Sequence, residues 1–87
     1  MSSHDDIVGQ LTREIASRAH LEPHEVDPDA HFLRDLGMSS LDLLSVLAFA
    51  EKTFGIRFPD ERLSELTTLN QVENAVRTFH GQEANQG

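Results

Sequence analysis

The 87-residue sequence contains no cysteine. That excludes a disulfide framework, thiolate chemistry on the polypeptide and a cysteine-ligated zinc. Basic residues are scarce: seven Lys and Arg stand against fifteen Asp and Glu, a formal net charge of −8. Nucleic-acid binding runs on Lys and Arg neutralising phosphates, and an anionic membrane repels such a chain, so neither partner is expected. A basic protein would be steered towards it, although acidity also simply keeps a small domain soluble. The longest apolar run, Val46 to Ala50, is far too short to span a membrane. The first residues, Met1 to Asp6, are acidic where a secretory signal needs positive charge, and the expected location is the cytoplasm. There is no internal repeat and no low-complexity tract.

What is present is helical periodicity within one small domain, residues 1–87, with order expected over about 5–80 and mobile ends at 1–4 and 81–87. Ile7, Val8, Leu11, Ile15 and Ala19 fill one arc of a helical wheel, predicting an amphipathic helix from about Asp5 to Ala19. Residues 20–38 read as a long connection, broken by Pro23 and Pro28 and pinned by Val26, Phe32, Leu33 and Leu36. A second helix is predicted from Ser39 or Ser40 to Phe54, stopped by Gly55. Its core face is Leu43, Val46, Leu47, Ala50 and Phe54. Phe49 falls inside the opposite polar arc of Asp42, Ser45, Lys52 and Thr53, with Leu41 and Ala48 on its edge. Apolar groups on an open face suggest a contact surface. Pro59 and the acids after it predict a turn or two of helix carrying Leu63 and Leu66. Thr68-Leu69-Asn70-Gln71 is a capping box that opens a last helix with the stripe Leu69, Val72, Ala75, Val76 and Phe79, ended by Gly81. The fold class is all-α: a small four-helix bundle of three main helices and one short one, with a long first loop.

Catalytic machinery is hard to find. Five histidines are present, but His20 and His24 have Pro23 between them and no other pair has the helical metal-ligand spacing. Gly37-Met38-Ser39-Ser40-Leu41 begins like a nucleophile elbow, yet Leu41 replaces the second glycine and no strand precedes it. What remains is a serine pair where a loop meets a helix. Ser39 with Asp42 makes a loose capping box, which accounts for one serine. Ser40 falls in the first turn, where free N–H groups and the helix dipole favour an attached phosphate.

Asp35-Leu36-Gly37-Met38-Ser39-Ser40-Leu41-Asp42 resembles the Asp-Leu-Gly-x-Asp-Ser-Leu-Asp signature of acyl carrier proteins, in their freestanding form. The likeness continues through Phe54-Gly55, Phe58-Pro59-Asp60-Glu61 and Leu66-Thr67-Thr68-Leu69, in order, over roughly Ile7 to Phe79. The resemblance implies a non-enzymatic, monomeric carrier whose Ser40 bears 4′-phosphopantetheine through a phosphodiester, with acyl groups held on the arm as thioesters. It implies a phosphopantetheinyl transferase as first partner, using coenzyme A and Mg²⁺, the metal belonging to that enzyme. It then implies transient visits to acyltransferase or ligase and ketosynthase-type enzymes. The helix after the serine is the family's recognition element, which nominates Leu41, Asp42, Ser45, Ala48, Phe49, Glu51 and Lys52 as partner contacts. Acidic groups near the arm, Asp35, Asp42, Glu51, Asp60 and Glu61, would speed encounter with basic partners without demanding tight binding.

Three departures from the pattern carry information. Ser39 stands where Asp is usual, a neutral cap in place of a charged one. Ser45 and Lys52 stand where acids are frequent, and Phe49 is bulky for its place. These differences point to a dedicated carrier in a specialised pathway, polyketide or related natural-product synthesis, rather than general fatty-acid service. Two other readings stand beside it. One is a peptidyl (aminoacyl) carrier, whose motif Met38-Ser39 fits less well. The other is an unmodified helical interaction module in which both serines only cap.

Overall fold

The computed structural model describes the backbone of residues 3–86 and the side chains of residues 7–79. Helix α1 spans Ser3–Ala19, α2 spans Ser40–Phe54 and α3 spans Leu69–Gln86. A 3₁₀ turn at Pro23–Glu25 and a short 3₁₀ helix at Asp60–Glu65 lie in the connections, and no strand occurs among the described residues. The protein is thus the expected small all-α bundle of three main helices and one short one. No helix of the described residues is long and apolar enough to cross a membrane.

The core follows the wheels. Ile7, Leu11 and Ile15 of α1, Val46, Leu47 and Ala50 of α2, and Leu69, Val72, Ala75 and Val76 of α3 are buried together. Burial of a Leu, Ile or Val side chain stabilises by about 1.5–3 kcal/mol, so this shared apolar cluster is what holds three amphipathic helices in one bundle. Phe58, in the segment after α2, meets the ring of Phe79 on α3 edge to face, with centroids 6.3 Å apart.

The long first loop is tied down by backbone hydrogen bonds as well as by apolar anchors. Val26 and Phe32 are buried, and Leu33 and Leu36 pack against the core, as the sequence indicates. Met38 joins them in the core. Phe32 N–H donates to the carbonyl of Thr67 at 2.8 Å, and Asn70 N–H to that of Pro28 at 3.1 Å. The Asn70 side-chain amide reaches the carboxylate of Asp29 at 2.6 Å.

Four details differ from the sequence reading. Helix α1 starts two residues earlier than Asp5. Pro23 opens a helical turn instead of only breaking one, because its missing N–H and fixed φ suit a first helical position. Gly81 does not end α3, which continues to Gln86. A mid-helix glycine costs about 1 kcal/mol against alanine, a penalty and not a stop. Phe49, expected on the open face of α2, is half-buried because α1 packs along that edge. The expected mobile ends include residues 1, 2 and 87, which lie outside the described residues; the backbone at 3–4 and 81–86 is helical.

Candidate functional site

The serine pair sits where the pinned loop enters α2. The approach is made by a tight turn over residues 31–38. His31 N–H donates to the Asp35 carboxylate at 2.8 Å, and the Asp35 and Leu36 N–H groups return to the His31 carbonyl. The His31 ring takes part too: its Nδ1 accepts from the N–H groups of Leu33 and Arg34, both at 3.2 Å. Gly37 has φ +73°, a left-handed conformation that a side chain would strain, and Met38 N–H closes back on the Phe32 carbonyl at 3.0 Å. His31 is one of the five histidines that lack metal-ligand spacing with a partner, and its place is in this turn. A His followed four residues later by Asp was the available signal for this turn.

Ser39 is the N-cap of α2. Its backbone is extended, with φ −84° and ψ 167°, and its hydroxyl oxygen accepts from Asp42 N–H at 3.1 Å. The Asp42 carboxylate returns the favour, accepting from Ser39 N–H at 3.2 Å. The other oxygen of Asp42 lies 4.0 Å from the guanidinium of Arg18, which ties the start of α2 to the last turn of α1. Ser40 is the first helical residue and is exposed. Among the described residues its hydroxyl has no hydrogen-bond partner, and the N–H groups of Ser40 and Leu41 are equally open. An exposed hydroxyl beside free first-turn N–H groups is a setting that suits a phosphodiester on the Ser40 oxygen.

The face of α2 that leads away from Ser40 is apolar. Leu41 is 73% exposed and Leu44 53%, and Ala48 continues the strip. Leu44 is the residue the sequence reading missed. Its spacing of three from Leu41 and four from Ala48 was the signal, masked because it sits among leucines that face inward. Leu44, Leu47 and Ala48 also form one wall of an open groove of about 360 Å³, completed by Phe58 and Leu63, with Glu51, Arg57 and Asp60 among its lining residues. Glu51 is committed locally: its carboxylate accepts from Phe58 N–H at 2.8 Å. Phe49 lies elsewhere, lining a second cavity with Gln10, Arg13 and Glu14 of α1. Leu41, Ser45, Ala48 and Lys52 share one side of the helix by their spacing, while Asp42 and Glu51 turn to the chain's own backbone amides.

With this geometry in view, the comparisons with known proteins decide the family. The family described as "Phosphopantetheine attachment site" matches residues 9–76. The chain belongs to the acyl carrier protein family. An acyl carrier protein of Micrococcus luteus is 31% identical over 97% of this chain and 100% of its own length. One from Renibacterium salmoninarum is 32% identical over 87% of this chain and 94% of its own. One from Rubrobacter xylanophilus is 32% identical over 83% and 89%, respectively. This carrier is therefore not an enzyme, and its prosthetic group is 4′-phosphopantetheine. When attached, that group supplies a thiol on which acyl groups travel as thioesters. The carrier's partners are a phosphopantetheinyl transferase and biosynthetic enzymes that it meets transiently.

Proposed function

We propose that Ser40 is the attachment point of 4′-phosphopantetheine and that residues 1–87 act as one monomeric, cytoplasmic carrier domain in a specialised biosynthetic pathway. The observation that carries the reading is the division of labour between the two serines. The Ser39 hydroxyl is occupied by Asp42 N–H, whereas that of Ser40 is exposed and without a partner. Ser40 needs no base of its own, because the transferase supplies the catalysis. Its part is to hold a nucleophilic oxygen outward, on a helix end whose dipole favours the negative phosphodiester.

Acyltransferase or ligase and ketosynthase-type enzymes would then meet the open side of α2, with Leu41, Leu44, Ser45, Ala48 and Lys52 as contacts; Asp42 and Glu51, engaged by backbone amides, and Phe49, turned to α1, form its borders. The neutral and basic residues at 45 and 52 support a dedicated polyketide-type route over general fatty-acid service. The names of the curated relatives favour acyl over aminoacyl cargo.

Incubation with coenzyme A, Mg²⁺ and a broad-specificity phosphopantetheinyl transferase should add one phosphopantetheine mass to the wild type and to Ser39→Ala, and none to Ser40→Ala. A gain that persists in Ser40→Ala moves the site. Absence of any gain in the wild type ends the reading.

A further inference from the structure

Among the described residues the rings of His20 and His24 have no hydrogen-bond partner, whereas that of His31 has two. Both meet at one atom: Nδ1 accepts from the N–H groups of Leu33 and Arg34, each at 3.2 Å. Neither amide has another acceptor among the described residues. A ring nitrogen accepts only when it carries no proton, so this geometry assigns the ring proton to Nε2. The same turn runs straight into the attachment serine. Leu33 and Leu36 pack on the core, Gly37 takes its left-handed conformation, Met38 N–H bonds back to Phe32, and Ser39 and Ser40 follow. An asparagine, serine or threonine at position 31 would offer an acceptor to such amides at every pH near neutral. A histidine makes the acceptance conditional, because an imidazole titrates between about pH 5 and 8.

We infer that His31 is a positioning residue for the modification of Ser40 and that it acts only in its neutral form: a proton on Nδ1 releases the Leu33 and Arg34 amides and loosens the turn that presents the serine. This rests on the carrier reading and adds a pH-dependent control to the same site. Protonation puts a donor where two donors already point, so both bonds are lost together. The direction follows. The clamp is complete while the ring is neutral and is lost as the pH falls through the histidine range. The Asp35 carboxylate faces the backbone of His31, accepting its N–H at 2.8 Å, and the Asp35 and Leu36 N–H groups bond to the His31 carbonyl. None of these bonds involves the ring, so protonation frees one part of the turn and does not unfold the bundle. Arg34, the neighbouring cation, is exposed. From the other elements, the groups bonded to this loop are the Thr67 carbonyl and Asn70, both uncharged, with the Asp29 carboxylate taken by the Asn70 amide. At the start of α2 the Asp42 carboxylate is held by Ser39 N–H, with Arg18 beside it. Among the described residues no carboxylate pairs with the His31 ring, so no counter-charge holds a protonated ring in its place.

The test follows phosphopantetheine transfer to the purified apo protein by intact mass, with coenzyme A, Mg²⁺ and a broad-specificity transferase, at about pH 6 and about pH 8. His31→Asn keeps an acceptor without a titrating ring. It is the reference at each pH and cancels the transferase's own pH dependence. The kcat/KM of wild type relative to His31→Asn should fall about threefold or more from the higher pH to the lower. NMR of the wild type reads the turn itself. The imidazole nitrogen shifts should show the Nε2–H tautomer at the higher pH. Hydrogen-exchange protection of the Leu33 and Arg34 amides should drop as the ring titrates, while that of the Phe32 amide, bonded to Thr67, persists. Parallel pH profiles for wild type and His31→Asn overturn the inference, as does a His31 titration that leaves both amides protected. If His31→Asn melts far below wild type, the NMR titration decides alone. Absence of a mass gain in the wild type at both pH values ends the carrier reading, while the titration still decides the clamp, so the two failures are separable.

Discussion

The carboxylate of Glu51 accepts a 2.8 Å hydrogen bond from the backbone N–H of Phe58, seven residues later. This bond folds the segment after α2 back along the helix. It places Phe58 in the core, against the ring of Phe79, and sets one wall of the groove. Replacing Glu51 by Ala leaves a half-buried N–H without its partner and should cost about 1 kcal/mol. Glu51→Gln keeps an acceptor and should cost less. Denaturant melts give the stabilities, and hydrogen exchange at the Phe58 amide gives the site. Unchanged exchange there in Glu51→Ala would show that the bond contributes nothing.

Ser39 and Asp42 cap α2 reciprocally. Ser39→Ala should lower stability by about 1 kcal/mol while leaving Ser40 a substrate for the transferase. Asp42→Ala should cost a similar amount, because it removes the other half of the box. If Ser39→Ala blocks modification while its melting curve matches wild type, Ser39 is doing chemistry and not capping.

His31 holds the turn that leads to Gly37 through two N–H groups on one ring nitrogen. His31→Asn offers a side-chain oxygen to the same donors and should be tolerated. His31→Leu should cost about 1 kcal/mol by orphaning them. Equal stabilities for the two variants, by thermal melting, would refute a capping role.

His20 has φ +61° at the end of α1, the left-handed conformation that glycine adopts without strain. His20→Gly should stabilise the protein by up to about 1 kcal/mol, since it removes a Cβ penalty. A lower midpoint in urea would show that the His20 side chain contributes more than its backbone strain costs.

Leu44 is half exposed, so Leu44→Ala should change stability by less than about 0.5 kcal/mol. The same change should raise KM for enzymes that dock on α2, because an apolar anchor at the centre of a contact carries much of its energy. An unaltered KM removes Leu44 from the docking face.

The helices were legible because each has a wheel and a punctuation mark. Ser39 and Gly55 bracket α2, and Thr68 with Gln71 opens α3; the bonds expected of them are present. Ser40 stood out for the same reason: a cap needs one serine and the sequence offers two. What periodicity could not show was which exposed residues a neighbour would cover. Phe49 and Leu44 were both ambiguous on the wheel, and the packing of α1 along one edge decided between them. His31 was opaque because the geometry that makes a histidine a cap involves backbone groups that no side-chain pattern encodes. Gly81 misled because glycine permits a helix end without requiring one.

The anchors of the serine loop lie far downstream in the chain. Phe32 is tied to Thr67, and Pro28 and Asp29 to Asn70, the last pair 41 residues apart. A ribosome that has just released Ser40 has therefore made the hydroxyl but not the frame that orients it. The frame around Ser40 closes only once the start of the third helix has been made, and a chain truncated before residue 67 carries Asp35 to Asp42 without the bonds that hold the loop in place.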